Sequence, residues 1–316
     1  MVAFLISTIS IGVVFLYGCV GEILTEKSGN LNLGIPGIMS VGAAGGCLGV
    51  SLYMGGLSDT ADANYFLVIL SAVLMSALFS AALGAVYSFL TVSLRCNQNV
   101  TGLTVTTFGV GLTTFMMESV VDRSRLSAAS TLIKLNLPFA ESLGVVGEVF
   151  FSHGIFVYLA IVIAIVCGWI LNRTRIGLNL RAVGENPAAA DAAGINVTRY
   201  KYVPTCVGSV IAGLGGMFYI MDRSGGMWGY GVEAIGWLAV ALVIFALWRP
   251  IVSILGSFVF GALYIAPNYI GGANRELFAL LPYVVTVLVL ILTSVLNSRE
   301  TQPPAALGLA YFREER

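Results

Sequence analysis

Amide and hydroxyl side chains stand at the start of two long apolar runs of the sequence, where they could hydrogen-bond a bound molecule. Asn30 and Asn32 enter one run, and Asn97, Gln98 and Thr101 enter the other. Amides and hydroxyls offer both donors and acceptors, which suits a neutral, hydrogen-bonding solute better than a cation. The same side chains could instead cap helices or bond between them, and the sequence leaves both interpretations open.

Motifs for enzymatic chemistry are missing from the sequence. No GxxxxGK[ST] phosphate loop occurs, and none of Lys27, Lys134 and Lys201 follows a glycine, so the chain cannot bind ATP in that way. HExxH and GxSxG are also missing. The five cysteines show no CxxC spacing and lie in or beside apolar runs, which is typical of small buried residues rather than metal ligands. We therefore expect no catalytic residue, no metal site and no cofactor in this chain.

A polar stretch, residues 172–201, separates two hydrophobic runs that are each long enough to span a bilayer. We call it the docking loop. Its centre predicts a short helix, with Asn186 as N-cap, Pro187 at the first helical position and Gly194 as the left-handed residue after its end. A helix of about two turns is marginal alone in water, so it requires a partner. Its alanines would offer a smooth surface to a groove on another protein, although an ordinary capped loop explains the same pattern. These alanines are Ala188, Ala189, Ala190, Ala192 and Ala193.

The composition indicates a polytopic membrane protein. Of the 316 residues, 58% are hydrophobic and only 10% are charged, and the mean hydropathy is +0.92; soluble domains carry about 25% charged residues. The formal net charge is zero, so the charge balance does not suggest nucleic acid as a partner. The amino-terminal run has no basic region before it, and we interpret it as a retained span rather than a cleaved signal.

Nine apolar runs are candidate membrane spans, at about 20 residues for each crossing. They cover residues 3–21, 31–54, 65–93, 100–118, 154–172, 200–221, 233–248, 251–268 and 278–297. Five of the sixteen Lys and Arg lie in the docking loop, which places it in the cytoplasm by the positive-inside rule. Alternation then puts the amino terminus outside and the carboxyl terminus inside, with eleven basic residues inside and five outside. An outer loop, 119–153, and a cytoplasmic tail, 298–316, complete a single domain over 1–316.

Two glycine-rich regions are not plain lipid-facing helices. Residues 29–56 contain ten glycines and prolines, which predicts an interior span. Either its backbone lines a water-filled cavity or its small residues let two helices approach closely. Residues 208–236 are similar and could be a broken or re-entrant segment.

Four segments of the chain resemble the membrane permease subunits of ABC importers for branched-chain amino acids, simple sugars and nucleosides, and among them the smaller permease of nucleoside importers. The segments are GEILTEKSGNLNLGIPGIM (21–39), NQNVTGLTV (97–105), LRAVGENPAAADAAGI (180–195) and ALVIFALWRPIVSILGSFVFGAL (241–263). Two positions depart from the family pattern. Pro36 stands where an acidic residue is usual, and Leu247 precedes Trp248 where a glycine is common.

The resemblance implies an all-helical permease in the bacterial inner membrane that forms half of a translocation pathway for a nucleoside. It implies three partners: a second permease chain, an ATP-binding subunit that binds ATP and Mg, and an extracytoplasmic substrate-binding lipoprotein. The short helix predicted between Asn186 and Gly194, which we call the docking helix, would couple to the ATPase and transmit its movement to the spans. The expected coupling residues are Arg181, Gly184, Glu185, Asn186, Pro187, Ala190 and Gly194, and the expected path residues are the five amides and hydroxyls named first.

Three alternatives remain open. A sugar or branched-chain amino acid permease of the same class is the nearest. A secondary transporter is disfavoured by the docking loop and by the lack of an ionisable residue at the centre of a span. A membrane enzyme lacks any recognisable nucleophile and base.

Overall fold

The computed structural model describes residues 1–134, 144–229, 231–270, 275–296 and 302–313, and within this part every regular secondary-structure element is a helix. The long helices are α1 (Val2–Glu26), α2 (Ile35–Gly55), α3 (Tyr65–Ser88), α4 (Gln98–Ser119), α7 (Ile155–Arg173), α10 (Val197–Phe218), α11 (Val232–Phe245), α12 (Pro250–Tyr269) and α14 (Leu281–Leu296). The shorter ones are α5 (Leu126–Ile133), α6 (Gly144–Phe150), α8 (Arg175–Glu185), α9 (Pro187–Ala192) and α13 (Arg275–Phe278). Single π-helical turns, Phe89–Ser93 and Tyr219–Arg223, continue α3 and α10.

Each predicted span overlaps one of the nine long helices, with bounds that differ by up to a few residues. Seven of these helices are long and apolar enough to cross a bilayer. The other two are shorter than the roughly 20 residues of a full crossing, since α11 has 14 residues and α14 has 16 in the described part of the chain. The all-helical membrane fold is therefore confirmed. The last predicted residue of the ninth span, 297, lies outside the described residues.

The interior of the bundle is built on α1, α2 and α10. Buried residues make up 89% of the most apolar stretch of α2 and 72% of that of α10, so the interior position predicted for 29–56 is confirmed. The backbones touch where glycines face each other. A Cβ atom on Gly21 would collide with the carbonyl oxygen of Gly208, and one on Gly42 with the Cα atom of Gly213. Of the two interpretations of these glycines, close helix packing is the one that the structure supports.

The second glycine-rich region is less broken than expected. The helix that begins as α10 runs on to Arg223 through its π-helical turn, and the chain leaves it only there. Gly225 and Gly226 then adopt positive φ angles of 67° and 76°, which reverse the chain before α11 begins at Val232. The interruption predicted for this region therefore lies at the end of the span. The glycines within α10 lie in continuous helix, where they allow close packing against α1 and α2.

The two regions predicted outside the membrane also contain ordered structure. The outer loop 119–153 contains the short helices α5 and α6, and residues 135–143 lie outside the described part. Arg125 fixes this loop by donating from Nη1 to the carbonyl oxygens of Met54 and Leu57, at 2.5 and 2.7 Å. Of the predicted tail, residues 302–313 are described, and we call this segment the tail.

Candidate functional site

The docking helix has the ends that the sequence predicts. The side-chain oxygen of Asn186 accepts a hydrogen bond from the Ala189 N–H at 2.9 Å, and Pro187 occupies the first position of α9. Gly194 follows the helix with φ +83°, and its N–H bonds to the Asp191 carbonyl at 3.0 Å. Local capping chemistry therefore determines this element. Its role in contacting an ATPase stays a prediction.

A second helix in the docking loop, α8, was missed by the sequence reasoning. Thr174 caps it by accepting from the Gly177 N–H at 3.1 Å. Its buried side includes Leu180 and Val183, while Ile176 on another face is 61% exposed. A threonine N-cap followed by apolar residues three and four apart was the available signal. The docking loop is consequently a helix pair rather than a single helix in a loop.

The alanines of α9 do not all face outward. Ala190 is buried in a small cluster with Val183 and Val197, whereas Ala189, Ala192 and Ala193 are exposed. Only the latter three can form the smooth surface expected of all five, since Ala188 is half-buried. A charge at position 190 would disrupt the loop's own packing, so the exposed alanines are the better probes of a partner.

Gly184 fastens the docking loop to the end of α1. A Cβ atom at this position would collide with the carbonyl oxygen of Lys27, so the two backbones are in direct contact. Burial lowers the pKa of the Lys27 ammonium, Glu185 opposes that effect, and Arg181 reinforces it. Arg181 and Glu185, both expected coupling residues, therefore belong to a charge cluster at this junction. A displacement of the docking loop would therefore displace the end of α1.

The tail lies across the docking loop and holds it from the other side. The Ala306 N–H bonds to the Gly184 carbonyl at 3.0 Å, and the Gly308 N–H bonds to the Gly29 carbonyl at 3.2 Å. Farther along, the Tyr311 hydroxyl donates to Asp191 at 2.8 Å. The sequence predicted only a cytoplasmic tail, because nothing local in it marks these distant partners.

The amides expected to meet a solute are bonded to the chain itself. Residues 30–34 enter the bundle without helical structure, although the predicted span begins at residue 31, so their backbone groups need partners. Gln98 accepts from the Leu31 N–H at 2.7 Å, and Asn32 accepts from the Gly34 N–H at 2.9 Å. Asn30 donates to Thr205 at 3.2 Å. These contacts correspond to the structural alternative left open above.

The two remaining path candidates are placed differently. Asn97 caps α4 by accepting from the Val100 N–H at 3.1 Å, and Thr101 is buried in the next turn of the same helix. Buried amide atoms of Asn30 and Asn32, Oδ1 and Nδ2 respectively, have no hydrogen-bond partner among the described residues. Contact of the five residues with a passing solute stays a prediction.

Two buried carboxyl groups near the end of α1 were not recognised from the sequence. Glu22 is fully buried and accepts from the Asn32 N–H at 2.9 Å. Glu26, one turn later, is 4% exposed and accepts a hydrogen bond from the indole N–H of Trp248. Their spacing of four residues at the end of an apolar run was the available signal. Together they join α1 to the segment 30–34 and to the turn between α11 and α12.

Both departures from the family pattern lie in packed positions. Pro36 is buried in the first turn of α2 and leaves no room for a Cβ atom on Gly236 of α11, so a packing contact replaces the usual charge. Leu247 adopts φ +53° in the turn after α11, a left-handed conformation that favours glycine. The glycine common at this position in the family therefore has a conformational explanation.

Several cavities open away from the docking loop, and two of them lie between long helices. One, of about 630 Å³, lies between α11, α12 and α14 and is lined by Tyr264, Asn268 and Tyr283 among apolar residues. The other, of about 200 Å³, lies between α2, α4 and the start of α11 and includes Thr113 and Glu233. The first combines aromatic faces with an amide, a set that can stack on a ring and hydrogen-bond to it.

Comparison with known proteins agrees with the resemblance seen in the four segments. Residues 2–290 match the family described as branched-chain amino acid transport system / permease component. The nucleoside ABC transporter permease NupC of Lactococcus lactis is 31% identical over 88% of this chain and 87% of its own. The guanosine ABC transporter permease NupQ of Bacillus subtilis is 28% identical over 94% and 92%. TsgC13 of Haloferax volcanii, named as a candidate glucose ABC transporter permease, is 31% identical over 98% and 97%. The chain therefore belongs to the branched-chain amino acid transport system permease family, and it is an ABC transporter permease that crosses the membrane several times.

Proposed function

We propose that this chain is the smaller permease of a nucleoside importer, and that it forms half of the translocation pathway beside a second permease. The observation that carries the proposal is its similarity, over most of its length, to two relatives named as nucleoside and guanosine permeases. The cargo would be neutral and rich in hydrogen-bonding groups, as the amide and hydroxyl side chains at the span entries indicate.

Coupling to an ATPase subunit would pass through the docking helix. Its exposed alanines present a surface without long side chains, its caps define both ends, and Gly184 joins the loop to α1. ATP and Mg would be bound by the partner, and closure of the partner's nucleotide sites would move α9 and, through Gly184, α1. An extracytoplasmic lipoprotein would deliver the solute on the opposite side.

The cavity between α11, α12 and α14 is the place where a nucleoside would contact this chain. Tyr264 and Tyr283 could stack on the base, and Asn268 could bond to base or ribose. The five amides and hydroxyls at the span entries, whose contact with the solute we also propose, would in addition maintain the irregular entry of the chain into α2 and the start of α4.

Sugar transport is the second candidate function. It is favoured by TsgC13, which matches nearly the whole chain at the same identity as NupC. A branched-chain amino acid is the third, on the name of the family alone.

Uptake into liposomes tests the cargo. The chain would be reconstituted with its partner permease, ATPase and binding protein, and offered radiolabelled guanosine, uridine, glucose, ribose and leucine with and without ATP. We expect ATP-dependent accumulation of a nucleoside. Accumulation of glucose, ribose or leucine alone would overturn the nucleoside assignment and leave the importer class standing, whereas ATP-independent uptake driven by an ion gradient would overturn both.

A matched pair of variants tests the coupling. Ala189→Glu places a charge on the exposed face of α9, and Ala61→Glu makes the same change at an exposed position in the loop between α2 and α3. We expect Ala189→Glu to lower ATP-dependent uptake at least tenfold with normal assembly of the permease, and Ala61→Glu to leave uptake unchanged. Equal uptake by the two variants would contradict the docking role of α9.

A further inference from the structure

We propose that a pocket between the docking loop, the end of α3 and the tail binds a phosphate-type anion. The pocket has a volume of about 470 Å³. Its lining includes three basic side chains from three separate segments, together with one carboxylate: Arg95, Lys201, Arg313 and Asp191. Asp191 of α9 and Gly194, an expected coupling residue, also line the pocket, so it adjoins the proposed coupling surface but lies apart from the solute path across the membrane.

Lys201 is the central element of the pocket. It lies in the second turn of α10 with only 3% of its surface exposed. Its ammonium donates to the Leu309 carbonyl at 3.4 Å, and no carboxylate pairs with it in the described part of the chain. An ammonium has three hydrogens to donate, and burying its charge without a counter-ion is unfavourable. The pocket beside it therefore favours an anion.

The amino-terminal end of α10 also favours an anion in this pocket. This helix has 22 residues, and Asn196 caps it by accepting from the Arg199 N–H at 2.9 Å. Val197 and Thr198 line the pocket, and their N–H groups have no hydrogen-bond partner among the described residues. Free N–H groups and the helix dipole both favour a negative group at this end. Lys201 is one turn away, so the two features act on the same space.

Among the described residues that line the pocket, three basic side chains accompany one carboxylate. Asp191 is already engaged, since Oδ2 accepts from the Tyr311 hydroxyl at 2.8 Å and lies 3.2 Å from Nε of Arg313. Arg95 packs its guanidinium carbon 4.7 Å from the centre of the Phe312 ring. Arginine forks, an ammonium and backbone N–H groups are together the donors that tetrahedral oxyanions bind best.

The anion could come from a soluble phosphate or from a phospholipid headgroup. An apolar groove of about 310 Å³ on the adjoining face of α10, lined by Ile176, Leu180 and Val203, shares Asn196 with the pocket. It would offer space for an acyl chain if the phosphate belongs to a lipid. In either case the bound group would join α10, the end of α3 and the tail beside the docking helix.

Thermal unfolding of the purified, assembled transporter tests the proposal in two arms. In detergent, inorganic phosphate would be titrated against chloride at matched ionic strength. In nanodiscs, neutral phosphatidylcholine would be compared with the same lipid containing phosphatidylglycerol. We expect the unfolding temperature to rise by several degrees in at least one arm, the phosphate arm indicating a soluble ligand and the nanodisc arm a lipid. Equal unfolding temperatures in both arms would overturn the proposal.

Variants locate the effect. Lys201→Gln should reduce the ligand-induced rise in unfolding temperature at least tenfold, whereas Lys201→Arg should retain it. Arg175→Gln, which removes an exposed cation of the same loop, should leave the rise unchanged. Arg95→Gln serves as the second test if Lys201→Gln fails to assemble. An unchanged response in Lys201→Gln or Arg95→Gln would overturn the proposal. The proposal would also be overturned if the unfolding temperature of the natural chain did not respond, and that of a variant with both Glu314→Gln and Glu315→Gln did. That result would mean that the chain's own carboxylates take the place of the anion.

Discussion

Two regions of the molecule are stabilised by different kinds of contact. One is the helix group α1, α2 and α10, and the other is the docking loop with the tail. In the first, backbone meets backbone, with no room for even a methyl group at Gly21 or Gly208. In the second, a few individual bonds connect segments far apart in sequence, such as the 2.8 Å contact of Tyr311 with Asp191. Close backbone contact tolerates little displacement, whereas single hydrogen bonds contribute only about 0.5–1.5 kcal/mol each.

This difference indicates that α1, α2 and α10 move as a unit, whereas the docking loop can change its position relative to them. The glycine-packed helices form a rigid body, so a force applied at one point is transmitted through it. The docking loop can shift with the loss of a few weak bonds, except where its backbone packs against the end of α7 at Gly177 and against Lys27 at Gly184. A lever requires this combination of a rigid body, a movable handle and firm junctions between them.

The largest effect is expected from Gly208→Ala in the rigid body. The new methyl group would collide with the Gly21 carbonyl, a backbone atom that cannot move aside. Overpacking of this kind costs about 1–3 kcal/mol, and more where the backbone is fixed. Gly111→Ala in α4 is the matched control, because no atom lies within 4 Å of its Cβ position. Size-exclusion yield and unfolding temperature should fall sharply for the first variant only; equal values would contradict the packing.

The next largest loss of stability is expected at the hydrogen bond between Glu26 of α1 and Trp248 of the turn after α11. Trp248→Phe removes the indole N–H that Glu26 accepts from, and leaves a buried carboxyl oxygen without that donor. The loss should be about 1–3 kcal/mol. Trp169→Phe is the control, since Trp169 is 60% exposed on α7. Unfolding temperatures of the two variants measure the difference, and a smaller loss for Trp248→Phe than for Trp169→Phe would exclude a structural role for this bond.

The docking loop should respond more weakly and more locally. Asn186→Ala deletes the cap of α9 and should destabilise that helix by about 1 kcal/mol, because the Ala189 N–H loses its acceptor. Asn186→Ser keeps a capping oxygen and should behave like the natural chain. Amide hydrogen exchange of residues 188–193 should accelerate about fivefold in the alanine variant, with no change in α2. Faster exchange in α2 as well would show that the two regions are not separate.

The same contrast explains which features the sequence could predict. The spans and the ends of α9 follow from composition and from neighbours within a few residues, as Asn186, Pro187 and Gly194 illustrate. The fate of Asn30 does not, because its partner Thr205 is 175 residues away. Glu26 likewise depends on Trp248, 222 residues away. Polar residues at a span entry look alike whether they face a solute or satisfy an irregular backbone.

The smallest effect concerns the backbone of the turn itself, where Leu247 has φ +53°. Alanine and glycine both remove its half-buried side chain, so comparing Leu247→Ala with Leu247→Gly isolates the conformational cost. The left-handed conformation costs a residue with a Cβ atom about 1–2 kcal/mol, while the freedom of glycine in the unfolded chain costs about 0.5–1 kcal/mol. Glycine should therefore be the more stable variant by up to about 1 kcal/mol, the reverse of the order in helices. An unfolding temperature higher for alanine would show that this turn is not left-handed, and that Trp248 reaches Glu26 by another path.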